Sequence, residues 1–291
     1  MKTVVITGGT GGIGLQTAIG IASKDKDYRV IITGRNQQRG DDAVQRIIKA
    51  ASNDHIELVV GDVSSFKGVD ELAKKLLDKT KDTGIAILIN NAGYLGDEMK
   101  TTEDGLETHF AINVASPWRL THALLPALKK AEKARVVNVT GGEEKPGPID
   151  IDNLQAEKGF RGLMTYGHSK SVSESMGMAL SERLKADGIT VNVVFPGQAS
   201  TSMTGQLSFS HLPGPMKLFY PIMWLMFRDD GGKSAAKAAI SSIYAATDAN
   251  LEGVTGKFYN SKATEHKLHN TAYDSNVQQK IVALIENAKR E

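Results

Sequence analysis

The chain has 291 residues, enough for one large α/β domain or two small ones with a sizeable core. Its net charge of +2 speaks for neither nucleic acid nor an acidic partner. It has no cysteine, which excludes disulfides, thiolate metal sites and thiol catalysis and suits a cytoplasmic location. The N-terminal apolar run is too short, and too quickly broken by glycine, for a signal peptide or membrane anchor.

Val4-Val5-Ile6 is a β-branched run that ends in Thr7-Gly8-Gly9-Thr10-Gly11-Gly12-Ile13-Gly14. A helical pattern follows through Thr17, Ala18, Ile21 and Ala22. Strand, glycine-rich turn and helix form a phosphate-binding unit. The glycines admit a pyrophosphate, and the helix start offers free N–H groups and a positive dipole end. The candidate contacts are Gly8, Thr10, Gly12, Ile13 and Gly14.

The second strand, from Arg29 to Thr33, runs into Gly34-Arg35-Asn36. A site for NAD would place an acidic residue here for the ribose hydroxyls. Gly34 cannot do this, and the Arg35 guanidinium suits a 2′-phosphate, so the expected cofactor is NADP(H). Arg39 is a second, weaker candidate.

A helix is expected over Asp41–Ala51 and a third strand over Ile56–Val60, ending in Gly61-Asp62-Val63. Asp62 reads either as an acceptor for the adenine amine or as a helix cap, a role open also to Ser64 and Ser65. After a helix over 66–81, the fourth strand, Ile85–Ile89, stops at Asn90-Asn91-Ala92-Gly93. Small residues there let a nicotinamide ribose lie close to the backbone.

A long helical pattern from about Glu103 to Lys130 holds Asn113 and Pro117. Proline has no N–H, so the carbonyl four residues earlier, that of Asn113, loses its helical partner. One reading is a relay water held there before Lys170; the other is a plain kink.

The fifth strand, Arg135–Val139, ends at Thr140-Gly141-Gly142-Glu143-Glu144. A loop and an irregular segment lead to Tyr166-Gly167-His168-Ser169-Lys170, read as the start of a helix over 166–186. Tyr166 and Lys170 stand one turn apart on one face. An ammonium beside a phenol favours the phenolate, so the Tyr166 pKa is expected to fall and to suit proton transfer near neutral pH. A solvated surface pair is the plain alternative.

The sixth strand, Thr190–Phe195, runs into Pro196-Gly197 and on to Thr201. Strand and helix alternate throughout, with no linker and no repeat. The expectation is a single domain over residues 1–291, a doubly wound parallel Rossmann-like sheet with helices on both faces. Residues 202–232 are crowded with Met, Leu, Phe, Tyr and Trp but broken by Pro213, Pro215 and Pro221. An apolar lid is the preferred reading; an oligomer contact or a helix lying on a membrane surface are the others. A helix over Lys233–Ala246, a short strand near 256–259 and a helix over Ser275–Ala288 complete the pattern.

Together these motifs resemble the short-chain dehydrogenase/reductase family. The pieces are Thr7-Gly8-x-x-x-Gly12-Ile13-Gly14, Asp62-Val63, Asn90-Asn91-Ala92-Gly93, Asn113, Tyr166-x-x-x-Lys170 and Pro196-Gly197-x-x-x-Thr201, in family order across roughly residues 3–260. Thr33-Gly34-Arg35-Asn36, Gly105-Leu106-Glu107-Thr108-His109-Phe110 and the long segment before Tyr166 are most similar to the retinol-dehydrogenase-like branch.

The resemblance implies an NADP(H)-dependent oxidoreductase interconverting a carbonyl and an alcohol, here on an apolar small molecule. It implies Tyr166 as acid/base, Lys170 as its partner and ribose ligand, and Asn113 as holder of a relay water. Asp62, Val63, Asn90, Ala92, Gly93, Pro196, Gly197 and Thr201 would line the cofactor, with Thr201 at the carboxamide. By analogy a homodimer or homotetramer is implied; no metal or nucleic-acid partner is expected.

One departure stands out. The family usually has a serine just past the fifth strand, where this chain has Gly141. Thr140 substitutes only if the strand has already ended, because strand neighbours point to opposite faces. Otherwise the substrate supplies the missing group, or the reaction is reduction of an imine or activated C=C bond. A non-catalytic NADP-binding protein is the third reading.

Overall fold

The computed structural model describes residues 1–141, 147–197, 199 and 230–288. The expected 202–232 segment lies outside these residues apart from 230–232, as do Thr201, Glu143 and Glu144.

The first strand, β1 (Lys2–Ile6), leads into α1 (Gly12–Lys24), β2 (Tyr28–Gly34), α2 (Gln37–Ala51), β3 (Ile56–Val60), α3 (Phe66–Lys79) and β4 (Ile87–Asn90). The chain then forms a short α4 (Thr108–Phe110), a π turn (Ala111–Ala115), α5 (Ser116–Ala123), α6 (Leu125–Lys130) and β5 (Arg135–Val139). The long α7 (Gly162–Leu184) follows, then β6 (Thr190–Val194), α8 (Lys233–Thr247), β7 (Phe258–Tyr259), β8 (Glu265–His266) and α9 (Ser275–Glu286).

The strands form one sheet in the order β3-β2-β1-β4-β5-β6-β7-β8. All pairings are parallel except β7 with β8, a short antiparallel edge that the sequence pattern did not reveal. The doubly wound expectation therefore holds. The strand order reverses between β1 and β4, and in such sheets ligands bind outside the carboxyl ends of the strands at that point.

Side chains alternate across the strands, so the sheet feeds two cores. Val5, Ile31, Leu88 and Val136 pack under α3, α5 and α7, while Val4, Ile6, Ile32, Ile89 and Val137 pack under α1, α2 and α8. Both faces are buried, which is why the strands read as continuous apolar runs.

Local chemistry sets the boundaries. Asn36 caps α2 by accepting from the Arg39 N–H at 2.9 Å, so this helix starts earlier than the apolar pattern alone indicates. Ser65 caps α3 by accepting from the Gly68 N–H, which settles the cap in favour of serine over Asp62. The expected helix from 103 to 130 is broken. Glu107 caps its start by accepting from the His109 and Phe110 N–H groups. Before Pro117 the backbone loosens into the π turn, where the Ser116 N–H bonds to the Ala111 carbonyl. The α7 helix starts one turn before Tyr166, not at it.

Among the described residues no helix is long and apolar enough to cross a membrane, and no group of three His, Asp or Glu side chains could hold a metal ion.

Leu88 lies fully buried on the central strand β4. We expect Leu88→Ala to cost about 2–5 kcal/mol of stability in a urea titration; a midpoint shift worth well under 1 kcal/mol would contradict this core assignment.

Candidate active site

The carboxyl ends of β1, β4 and β5 bring the expected residues together. At the end of β1, Gly8 and Gly12 adopt positive φ, at 66° and 52°. A Cβ on Gly8 would stand 3.1 Å from the Ala92 Cα, so the turn and the loop after β4 approach too closely for a side chain. The α1 helix is capped by Gly11, whose lack of a side chain leaves the first-turn N–H groups facing the crevice. Ile13 and Gly14 are part of that first turn.

Thr7 and Asn91 pin the two loops to each other. The Thr7 hydroxyl accepts from the Asn91 and Ala92 N–H groups at 2.9 and 3.0 Å, and the Asn91 side chain donates to the Thr7 carbonyl at 2.9 Å. Neither was singled out in the sequence for this purpose. The Asn90 side chain points into the core, donating to Asn138 Oδ1 at 2.8 Å and Thr121 Oγ1 at 3.1 Å.

The cradle fits a dinucleotide, and its second end is basic. Thr10 packs against Gly34, and a side chain at 34 would collide with it. Arg35 and Arg39 are both exposed beside this turn. The Arg39 Nη2 lies 3.9 Å from where a Gly11 Cβ would stand. Asp62 is exposed and accepts from the Ser64 N–H at 3.0 Å, while the Val63 carbonyl accepts from the Ser116 hydroxyl at 2.5 Å. Pro196 is buried, and Gly197 takes a positive φ of 81° after β6.

Tyr166 and Lys170 lie deeper, under the loop after β4. The Lys170 ammonium is 5.7 Å from the centre of the Tyr166 ring and donates weakly to the Val139 carbonyl at 3.5 Å. A Cβ on Gly93 would stand 3.3 Å from both Lys170 Nζ and Asn113 Oδ1, so the Gly93 backbone closes over the ammonium. The His109 ring packs edge-on to Tyr166 at 6.5 Å between centroids, and the His109 Nδ1 pairs with Glu107 Oε1 at 2.7 Å.

Asn113 acts through its side chain. Its Oδ1 accepts from the Tyr94 N–H at 2.8 Å, its Nδ2 donates to the Tyr94 carbonyl at 3.1 Å, and the same Nδ2 donates to the Ser169 hydroxyl at 2.9 Å. It thus ties the π turn, the loop after β4 and α7 into one unit. Ser169 passes this on by donating to the Tyr166 carbonyl at 2.7 Å.

Two expectations need correction. The Tyr166 pKa does not fall in this structure: burial of the phenol pushes it up to about 12, because the phenolate would lose its hydration. Burial likewise pushes Lys170 down to about 8. Thr140 does not face the phenol. Its N–H still bonds to the Val194 carbonyl at 2.9 Å, so the ladder with β6 continues through it. Its side chain therefore alternates to the α7 side, where the hydroxyl contacts the Lys170 carbonyl and Glu174.

At Gly141 the two facts meet. A Cβ there would lie 2.5 Å from the Tyr166 hydroxyl. The phenol therefore sits in the room that a side chain at 141 would take.

The short chain dehydrogenase family model matches residues 2–210. The chain is 32% identical over 288 residues to human polyprenol dehydrogenase, covering 96% of this chain and 82% of that protein. It is 32% identical over 259 residues to human retinol dehydrogenase 13, covering 89% and 76%. Among solved structures, the NADP active-site complex of RhlG from Pseudomonas aeruginosa superposes with a TM-score of 0.64 at 25% identity, covering 89% of this chain and 94% of that one.

Asn113→Ala should strip the Tyr94 backbone of both partners and cost about 1–3 kcal/mol, with faster amide exchange at Tyr94. Unchanged exchange at Tyr94 would show that the loop after β4 is held by other contacts.

Proposed function

The chain belongs to the short-chain dehydrogenase/reductase family, on its retinol-dehydrogenase-like branch, and from that premise we propose that it is an NADPH-dependent reductase of an apolar carbonyl compound. The observation that carries this reading is the Tyr166 phenol with the buried Lys170 ammonium 5.7 Å from its ring centre, under the loop after β4 and next to the glycine-rich β1–α1 turn. The names of the relatives, polyprenol and retinol dehydrogenases, support an apolar substrate. The apolar composition of residues 202–232 supports it too.

Preference for NADP(H) rests on Gly34 and Arg35. No carboxylate follows β2 to accept from ribose hydroxyls, and Arg35 with Arg39 supplies positive charge for a 2′-phosphate. When bound, the cofactor supplies the hydride. The protein's part is proton delivery and positioning. Tyr166 gives its phenolic proton to the carbonyl oxygen as charge develops there. Lys170 stabilises the phenolate that is left, and Asn113 holds the loop after β4 and α7 in register around both.

Gly141 favours one second reading. A lost oxyanion donor costs about 100- to 1,000-fold in carbonyl chemistry. Reduction of an imine or activated C=C bond depends less on such a donor. Assays of both substrate classes with NADPH separate the readings by which class turns over faster. Tight NADPH binding with no turnover on either would instead support a non-catalytic NADP-binding protein.

Tyr166→Phe should keep NADPH binding by nucleotide fluorescence and lose about 100- to 10,000-fold of turnover; full activity in this variant would overturn the proposal. Arg35→Ala should raise the NADPH Kd about tenfold or more and leave NADH binding unchanged. Equal effects on both nucleotides would contradict the 2′-phosphate assignment.

A further inference from the structure

The stretch Gly105-Leu106-Glu107-Thr108-His109-Phe110 has no part in the proton transfer, yet it carries a buried Glu–His pair. His109 is 0% exposed and Glu107 2%. Such a pair is costly to bury unless each of its polar atoms finds a partner. Here each does. Glu107 Oε1 accepts from the His109 backbone N–H at 2.9 Å and faces His109 Nδ1 at 2.7 Å, while Oε2 accepts from the Phe110 N–H at 3.0 Å. The Glu107 N–H in turn donates to Gln155 Oε1 at 2.8 Å, in the segment before α7.

The other ring nitrogen fixes the tautomer. His109 Nε2 accepts from the Gly96 N–H at 3.1 Å. An imidazole nitrogen that accepts carries no proton, so the proton of the neutral ring is on Nδ1 and is donated to Glu107. A histidine beside a carboxylate can serve as a general base. This one has no free lone pair for a substrate, because the Gly96 N–H occupies it. Its contacts lead instead to the loop after β4. The Gly96 carbonyl packs on the start of α7, where a Cβ on Gly162 would stand 2.7 Å from its oxygen. The loop is therefore held on both sides of Gly96. The His109 ring also packs against Tyr94 at 5.1 Å and Phe160 at 5.8 Å between centroids, both half-buried, besides Tyr166 at 6.5 Å.

We propose that His109 is a positioning residue for the substrate, a latch that Glu107 holds in its Nδ1–H tautomer and that fixes the Tyr94–Gly96 loop and the Phe160 ring as a wall beside Tyr166. The role rests on the reading of Tyr166 as the proton donor. The cofactor side of the same loop is anchored separately. Asn91 and Ala92 donate to Thr7, and Asn113 holds both backbone groups of Tyr94. Gly96 lies two residues further on and is held by His109. The side chains that the latch steadies, Tyr94 and Phe160, are aromatic, and large rigid rings give an apolar substrate contact area at little entropic cost. Losing the latch should therefore weaken the hold on the substrate and leave nucleotide binding in place.

Three measurements on the full chain test this, and the first two need no turnover. Nitrogen NMR of the histidine-labelled wild type should show His109 as the Nδ1–H tautomer, with Nε2 shifted as a hydrogen-bond acceptor. An Nε2–H ring would overturn the latch, and this measurement stands even where a variant fails to fold. Two variants then separate the hydrogen bond from the packing. His109→Phe keeps a ring but offers Gly96 no acceptor. His109→Gln loses the ring but keeps an oxygen that can reach about as far as Nε2. Amide exchange at Gly96 should quicken about tenfold or more in His109→Phe and stay nearer the wild type in His109→Gln.

The third is the kinetics of NADPH-dependent reduction. His109→Phe should raise the substrate KM about tenfold while the NADPH Kd stays within about twofold, with His109→Gln in between. His109→Phe matching the wild type, or His109→Gln being the worse of the two, would reduce His109 to a packing role and overturn the proposal. KM and NADPH Kd rising together would overturn the assignment to the substrate side. A wild type with no turnover would sink the reductase reading itself, while the tautomer and the Gly96 exchange would still decide whether the latch exists.

Discussion

A lysine ammonium sealed beneath a tyrosine ring is the constraint on which the rest of the site depends. Lys170 is 4% exposed, and a charge so far from water is tolerated only where the surroundings are fixed around it. The closure comes from three directions. Gly93 lays its backbone over the ammonium because it has no side chain to keep the loop away. Asn113 holds that loop through both Tyr94 backbone groups and anchors it to Ser169, one residue before Lys170. The Val139 carbonyl closes the strand side. Removing any of these would admit water and reduce the influence of the ammonium on Tyr166, since electrostatic effects weaken as the local dielectric rises.

The same burial gives the site its chemical character. A phenol beside an exposed ammonium would be acidic and would tend to serve as a base. Here the phenol is desolvated against Gly141, and that burial pushes its pKa up to about 12. The missing side chain at 141 is thus part of the packing of the tyrosine as well as a missing donor. A larger residue there would compete with the hydroxyl for the same volume.

Much of this was legible in the chain itself. Alternating strands and helices, the Gly8–Gly14 turn and the strand-end positions of Asn91 to Gly93 follow from periodicity and glycine placement, because backbone geometry demands those residue types locally. Pro117, which has no N–H to offer the Asn113 carbonyl, marks a disturbance of the helix there, and the π turn over Ala111–Ala115 is its structural form. What stayed hidden were properties that depend on direction and burial. Asn90 and Asn91 are neighbours of the same type, yet one enters the core and the other the crevice, since they alternate across the sheet. The Tyr166 pKa depends on how deeply the phenol is buried, which an i,i+4 spacing does not specify. Thr140 depended on how far the β5–β6 ladder runs.

The central claim is that the Tyr166 phenol delivers the proton to the substrate. The most direct test is a crystal structure of the chain with NADP and an unreactive carbonyl analogue. The account predicts the analogue's oxygen within about 2.6–3.2 Å of the Tyr166 hydroxyl, with the reacting carbon about 3–3.5 Å from the nicotinamide. An analogue bound in the cofactor crevice with its oxygen held by another group, and Tyr166 still packed against Gly141 out of reach, would contradict it.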